Sequence, residues 1–101
     1  GITFKENCPD VRNTKIVDVI TALKDYGINV SVFDPWASPS EVKHEYGLFT
    51  TNSLPNEKFD AIVLGVAHKE FATINFELIK KEKAILYDVK GILGSQADGK
   101  L

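Results

Sequence analysis

Methionine is absent from the 101 residues, cysteine and tryptophan occur once each, and neither charge sign dominates. Each shortage excludes something. A lone cysteine, Cys8, closes no internal disulfide, so the chain is not one of the small secreted folds stapled by bridges. The two histidines, His44 and His68, fall on separate segments, no metal-ligand spacing forms, and no metal is expected. A formal charge of −2 and a pI near 5.6 leave no broad basic surface. Nucleic acid is therefore excluded as a general partner, and any phosphate contact must be local. No apolar run approaches the roughly 20 residues of a membrane helix, and no charged-then-apolar leader is present. A soluble protein of the cytoplasm, with no membrane partner, is the expectation. The want of any Met makes the chain read as an excised piece of something larger. G-x-G-x-x-G, the P-loop, G-x-S-x-G and a Ser/His/Asp set are missing too, so catalysis by this stretch alone is not expected and no catalytic residue is assigned.

Hydrophobic residues make up 44% and charged residues 26%, an ordinary globular balance. The length gives one domain with a real core but is short for a complete two-site enzyme. Short apolar stretches alternate with amphipathic ones, the βαβα order of an α/β domain with a mostly parallel sheet flanked by helices in three layers. In residues 13–26, Ile16, Ile20 and Leu23 keep helical spacing, Asn13 suits the N-cap and Gly27 the left-handed stop. Residues 28–34 (INVSVFD) predict a buried strand that ends at Asp34-Pro35. Ser38-Pro39-Ser40-Glu41 has capping-box spacing, so a short helix should run to Tyr46 before Gly47. Residues 49–51 suggest a small edge strand, and residues 54–58 a loop. The apolar run of residues 60–66 predicts a central strand covered on both faces. Residues 71–81 suggest a helix with Phe76 and Ile79 inward, residues 84–89 the last clear strand, and the glycines beyond it an irregular tail. Ile2 to Phe4 look like the end of a first strand that is cut short.

In an open α/β sheet, ligands bind beyond the carboxyl ends of the strands, where loops and helix N-termini converge. Reading those ends in order gives Lys5, Asp34, Ala67-His68-Lys69-Glu70 and Lys90, all on one rim. Lys5 and Arg12 share the loop GITFKENCPDVRN, and two fixed positive charges there suit a nucleotide phosphate. Each has a plain competitor: a solvated lysine for Lys5, and a surface pairing with Asp10 for Arg12. Asp34 suits an Asx-turn cap as well as a ligand contact, Trp36 suits packing as well as base stacking, and His68 suits a satisfied loop histidine. Cys8 has no histidine near it in sequence and reads as a structural thiol.

The pattern Gly-x-x-Phe-Lys-x-x-x-x-Asp-x-Arg at residues 1–12, with Asp34-Pro35-Trp36 and Asp88-Val89-Lys90-Gly91, resembles the C-terminal, UDP-sugar-binding domain of the UDP-glucose/GDP-mannose dehydrogenase family. The resemblance covers the whole chain. CPDVRNTK and DPWA look like the branch that acts on UDP-N-acetylhexosamines. It implies a Rossmann-like domain, residues 1–101, from an NAD-dependent nucleotide-sugar 6-dehydrogenase, in which two NAD molecules take a C6 hydroxyl to a carboxylate. The enzyme would serve polysaccharide precursor synthesis. NAD would be bound mainly by an N-terminal domain carrying the glycine motif and the catalytic cysteine, which Cys8 does not match, and the full enzyme would be a homo-oligomer. By the same resemblance Lys5 and Lys90 contact the UDP-sugar, and Arg12 reaches toward NAD.

Two readings from other classes stand beside it. A flavodoxin-like signalling receiver is loosely mimicked by Asp34 and Lys90, although Lys5 stands where such domains hold acidic residues. A structural dimerisation module would show an apolar patch without a basic rim.

Overall fold

A computed structural model describes residues 1–12 and 14–100. Two parallel sheets form the frame. In the smaller, β1 (Val32–Phe33) pairs with β2 (Thr50–Thr51); in the larger, the order is β3 (Phe59–Leu64), β4 (Lys80–Asp88), β5 (Gly99–Lys100). Helix α1 (Ile16–Asp25) precedes β1, and α2 (Pro39–Tyr46) links β1 to β2. The expected class, α/β with parallel strands and flanking helices, is what the chain adopts.

Helices follow their signals. Ser38 accepts from the Glu41 amide at 3.4 Å, Pro39 takes the first turn, and Gly47 at φ 69° ends α2. Helix α1 begins two residues beyond Thr14, and Lys15 gives it no side-chain cap; the expected cap Asn13 lies outside the described residues.

Strands depart from expectation. Ile2 to Phe4 form no strand: the Ile2 and Thr3 amides donate to the Asp34 carboxylate, and the Phe4 amide to the Asp10 carbonyl at 2.7 Å. Groups spent that way cannot join a ladder. Of the strand expected over residues 28–34, only Val32–Phe33 pairs, because β2 offers two partners and Ile28 stays 49% exposed. The run around β3 is not covered on both faces. It is the edge of its sheet, and Val63 remains 42% exposed.

The helix expected over residues 71–81 is instead two short 3₁₀ turns, Lys69–Thr73 and Phe76–Leu78. Thr73 Oγ1 donates back to the Glu70 carbonyl, and Asn75 caps the second turn through the Glu77 amide, so side chains compete with helix continuation. Ladder pairing then recruits the chain from Lys80. Phe76 and Ile79 are buried as foreseen.

Successive side chains on a strand face opposite ways. Val32 packs with the cluster of Ile2, Val11, Ile20, Val42 and Leu48, whereas Phe33 packs with Leu64, Phe71, Phe76, Ile79 and Leu86. The Phe33 and Phe71 rings meet at 5.7 Å between centroids. Gly65 lets α1 approach the end of β3, since a Cβ there would lie 2.6 Å from Ile16 Cδ1. Between the sheets an apolar cleft of about 290 Å³ remains, lined by residues that include Ile16, Ile20, Val30, Phe33, Ile62 and Phe71. Among the described residues, neither β1 nor β3 has a strand partner on the side away from β2 and β4. No helix among them is long and apolar enough to cross a membrane.

Candidate functional site

Parallel pairing puts the carboxyl ends of β3 and β4 level, with Leu64 opposite Asp88. The end of β1 joins them through Asp34 and His68, whose Oδ2 and Nε2 stand 2.9 Å apart. Both side chains are fully buried. Asp34 is the hub: Oδ2 accepts from the Ile2 and Thr3 amides and from His68, and Oδ1 accepts from the Trp36 and Ala37 amides. Desolvation alone would raise its carboxyl, but the hydrogen bonds from Ile2, His68 and Trp36 outweigh that and hold it below the usual carboxylate range. A carboxylate so enclosed is an Asx-type organiser and offers no surface for phosphorylation, which removes the basis of the receiver reading.

Lys5 sits at the exposed crown of the loop over residues 2–7, with its neighbours fastened on either side. Thr3 Oγ1 donates to the Lys5 carbonyl at 2.9 Å, and the Asn7 amide donates to His68 Nδ1 at 2.9 Å. Arg12 follows the point where the Phe4 amide and the Asp10 carbonyl close that loop. Its Nε and Nη2 hold both oxygens of Asp10 at 3.1 and 3.2 Å, the surface pairing weighed above, while the side chain stays 78% exposed. Asp10 is held below its usual range by that side-chain hydrogen bond, then by the Arg12 amide, with smaller Coulombic contributions from Arg12 and Lys5. The two cations therefore act on one carboxylate. Arg12 also shares a crevice with Asp10, Glu41, His44 and Glu45, acidic ground around the guanidinium.

Lys90 is exposed, two residues past the end of β4. Asp88, fully buried, builds its loop: Oδ1 accepts from the Lys90 and Gly91 amides and Oδ2 from the Leu93 amide. No contact joins Lys90 to Lys5 or Arg12 among the described residues. Trp36 is committed to packing, its Nε1 donating to Glu70 at 3.0 Å and its ring stacked on His68 at 6.2 Å. Cys8 is half-buried, and among the described residues no three His, Cys, Asp or Glu side chains gather closely enough to hold a metal.

Sequence reasoning missed the joint role of Thr3, Asn7, Asp34 and His68. A usable signal was present: one histidine closing the otherwise apolar run Gly65-Val66-Ala67, where burial demands a partner.

Comparison with known proteins gives consistent matches. The model of the UDP-glucose/GDP-mannose dehydrogenase family, UDP binding domain, matches residues 1–95. UDP-N-acetyl-D-glucosamine 6-dehydrogenase of Pseudomonas aeruginosa is 47% identical over 96 residues, 92% of this chain and 23% of that protein. Its namesake in Salmonella typhi is 43% identical over 105 residues, 100% of this chain and 25% of that protein. UDP-glucose 6-dehydrogenase of Rhizobium meliloti is 31% identical over 97 residues, 91% of this chain and 22% of that protein. The chain thus spans about a quarter of the length of these curated relatives.

Proposed function

The chain belongs to the UDP-glucose/GDP-mannose dehydrogenase family, and on that premise we propose that residues 1–101 form the substrate-binding, C-terminal domain of a longer NAD-dependent UDP-sugar 6-dehydrogenase. Its reaction is oxidation of the sugar C6 hydroxyl to a carboxylate, in polysaccharide precursor synthesis. The observation that carries this reading is Lys5, an exposed ammonium on a braced loop at the carboxyl rim, inside the stretch that the family match covers. In this role Lys5 hydrogen-bonds sugar hydroxyls and stabilises oxyanion character as the carbon is oxidised. Lys90, on the loop that Asp88 orders, contacts the UDP-sugar from the end of β4.

NAD, when bound, would accept one hydride in each of the two successive oxidations, so that two NAD molecules take the hydroxyl to the carboxylate. The residues here fit an edge contact with it and no more: no glycine-rich turn is present, and Arg12 keeps donors beyond the two that Asp10 takes. We place the main NAD site in a domain N-terminal to Gly1, as the quarter-length coverage of the relatives supports. The cleft between the sheets suits one further strand from that upstream segment. A parallel strand inserted between β1 and β3 would join the sheets into the six-stranded 3-2-1-4-5-6 order of a doubly wound domain. The ligand rim would then sit at its switch point. A cytoplasmic home suits the lone thiol, and we expect a homo-oligomer. The named relatives favour a UDP-N-acetylhexosamine as the sugar.

The test is steady-state kinetics of the full-length enzyme. Lys5→Ala should lower kcat/KM for the UDP-sugar by about 10²-fold or more, as expected of a lost oxyanion-stabilising donor. Arg12→Ala should raise KM for NAD with KM for the sugar unchanged. Wild-type kinetics in Lys5→Ala, or an upstream sequence without a G-x-G-x-x-G motif, would reject the assignment.

A further inference from the structure

We propose that His68 is a positioning residue for Lys5: the buried imidazole fastens both arms of the loop over residues 2–7 and thereby sets where the ammonium stands over the substrate. The proposal rests on the reading of Lys5 as a substrate contact.

His68 is fully enclosed, and a buried imidazole is tolerated when both nitrogens find partners. Here Nδ1 accepts the Asn7 amide at 2.9 Å, which leaves the ring proton on Nε2. That N–H faces Asp34 Oδ2 at 2.9 Å and Thr3 Oγ1 at 3.0 Å. Thr3 uses its own hydroxyl proton on the Lys5 carbonyl, so it receives from His68 and passes the restraint to the residue that matters. On the other arm, the Asn7 side chain accepts from the Lys69 amide at 2.8 Å, so Asn7 is held both by the His68 ring and by the peptide that follows it. Asn7 reverses the chain at φ 54°, a left-handed conformation that asparagine tolerates better than most residues. One ring therefore holds the residue two before Lys5 and the residue two after it. A lysine stem is too flexible to be fixed by itself, so the protein can aim the ammonium only by fixing the backbone from which it swings. The same bonds exclude His68 as a general base, because its lone pair is occupied and no substrate proton reaches a fully buried ring.

The experiment measures kcat/KM for the UDP-sugar in the full-length enzyme with His68→Gln and Thr3→Val, each alone and in a Lys5→Ala background. Gln keeps a donor toward Asp34 but leaves the Asn7 amide without its acceptor; Val removes the link to the Lys5 carbonyl at constant shape. His68→Gln should cost about 10-fold and Thr3→Val a few-fold, given that a misplacement near 1 Å costs about 10²-fold. In the Lys5→Ala background each should cost under about 2-fold, because no ammonium remains to misplace. Equal losses in both backgrounds would show that His68 merely supports the domain, overturning the proposal while leaving Lys5 its role. Wild-type kinetics in folded His68→Gln and Thr3→Val would overturn it as well. If His68→Gln fails to fold, Thr3→Val decides alone. Wild-type kinetics in Lys5→Ala would remove the substrate reading and this inference together.

Discussion

Replacing Asp34 by Asn removes one charge and adds two protons without changing shape, which makes it a clean probe of the hub. Five donors converge on the carboxylate, three at Oδ2 and two at Oδ1. An amide has only one acceptor oxygen. Turned toward Ile2, Thr3 and His68, it leaves the Trp36 and Ala37 amides facing an NH₂ group; turned the other way, it strands three donors. The better orientation therefore forfeits at least two partly or fully buried hydrogen bonds. An unsatisfied buried donor costs about 1–3 kcal/mol, so two should cost about 2–6 kcal/mol from a total that is typically 5–15 kcal/mol. At about 4–8 °C per kcal/mol for a domain of this size, the domain's thermal transition should fall by about 8 °C or more. Calorimetry of the enzyme carrying Asp34→Asn measures this. Asp60→Asn is the control, since Asp60 is 87% exposed and meets Lys81 at 3.2 Å, a surface pairing worth under about 1 kcal/mol. A shift in Asp34→Asn no larger than in Asp60→Asn would refute the claim that the carboxylate organises the rim.

Acid should act on the same groups. Asp34 and Asp88 are both held below the usual carboxylate range, and a depressed folded pKa gives stability that is full above the unfolded value and is lost as pH falls through the folded one. Stability should thus be level from pH 7 to about 5 and fall below about pH 4, with a shallower fall in Asp34→Asn; urea midpoints against pH measure it, and an identical acid limb in the variant would contradict the assignment. The cleft between β1 and β3 makes a further prediction: adding the upstream strand proposed above should raise the domain's melting temperature by about 8 °C or more, from roughly 2 kcal/mol of net apolar burial. Amide exchange should at the same time slow across Phe59–Leu64. Unprotected β3 amides in the longer chain would count against a strand there.

Helices were more legible than strands for a physical reason. The signals for α2 are local: Ser38, Pro39 and Gly47 each act within a turn of their own position. A strand needs a neighbour, and sequence does not name it. The INVSVFD run has the composition of a buried strand, yet it pairs over Val32–Phe33 alone because its partner is short and its other edge borders the cleft. Between Phe71 and Ile79 the apolar spacing was compatible with a helix, but Thr73 and Asn75 turn their side chains onto the backbone, a competition that periodicity does not register. Charge was equally mute about neighbours. Lys5 and Arg12 could be singled out, but not the bidentate hold of Asp10 on Arg12 or the acidic crevice beside it.

The rim is built by repeating one device, and that repetition explains how so small a domain can present rigid loops. Strands β1 and β4 each give way to an aspartate, Asp34 just past the end of β1 and Asp88 at the end of β4, and each buried carboxylate gathers the amides that follow it. Asp34 takes those of Trp36 and Ala37; Asp88 takes those of Lys90, Gly91 and Leu93. A loop whose amides are spent on a buried charge cannot rearrange without exposing or abandoning that charge, so its geometry is fixed before any ligand arrives. Asp34 does more than Asp88, because its second oxygen reaches across to Ile2, Thr3 and His68 and fastens the Lys5 loop as well. The cation assigned to the reacting end of the sugar thus stands on the most heavily braced loop, and Lys90 stands on one held by a single carboxylate. Pre-organisation of this kind matters most where charge develops during a reaction, since a donor already in place need not reorganise, and the unequal bracing follows the unequal demands proposed for the two lysines.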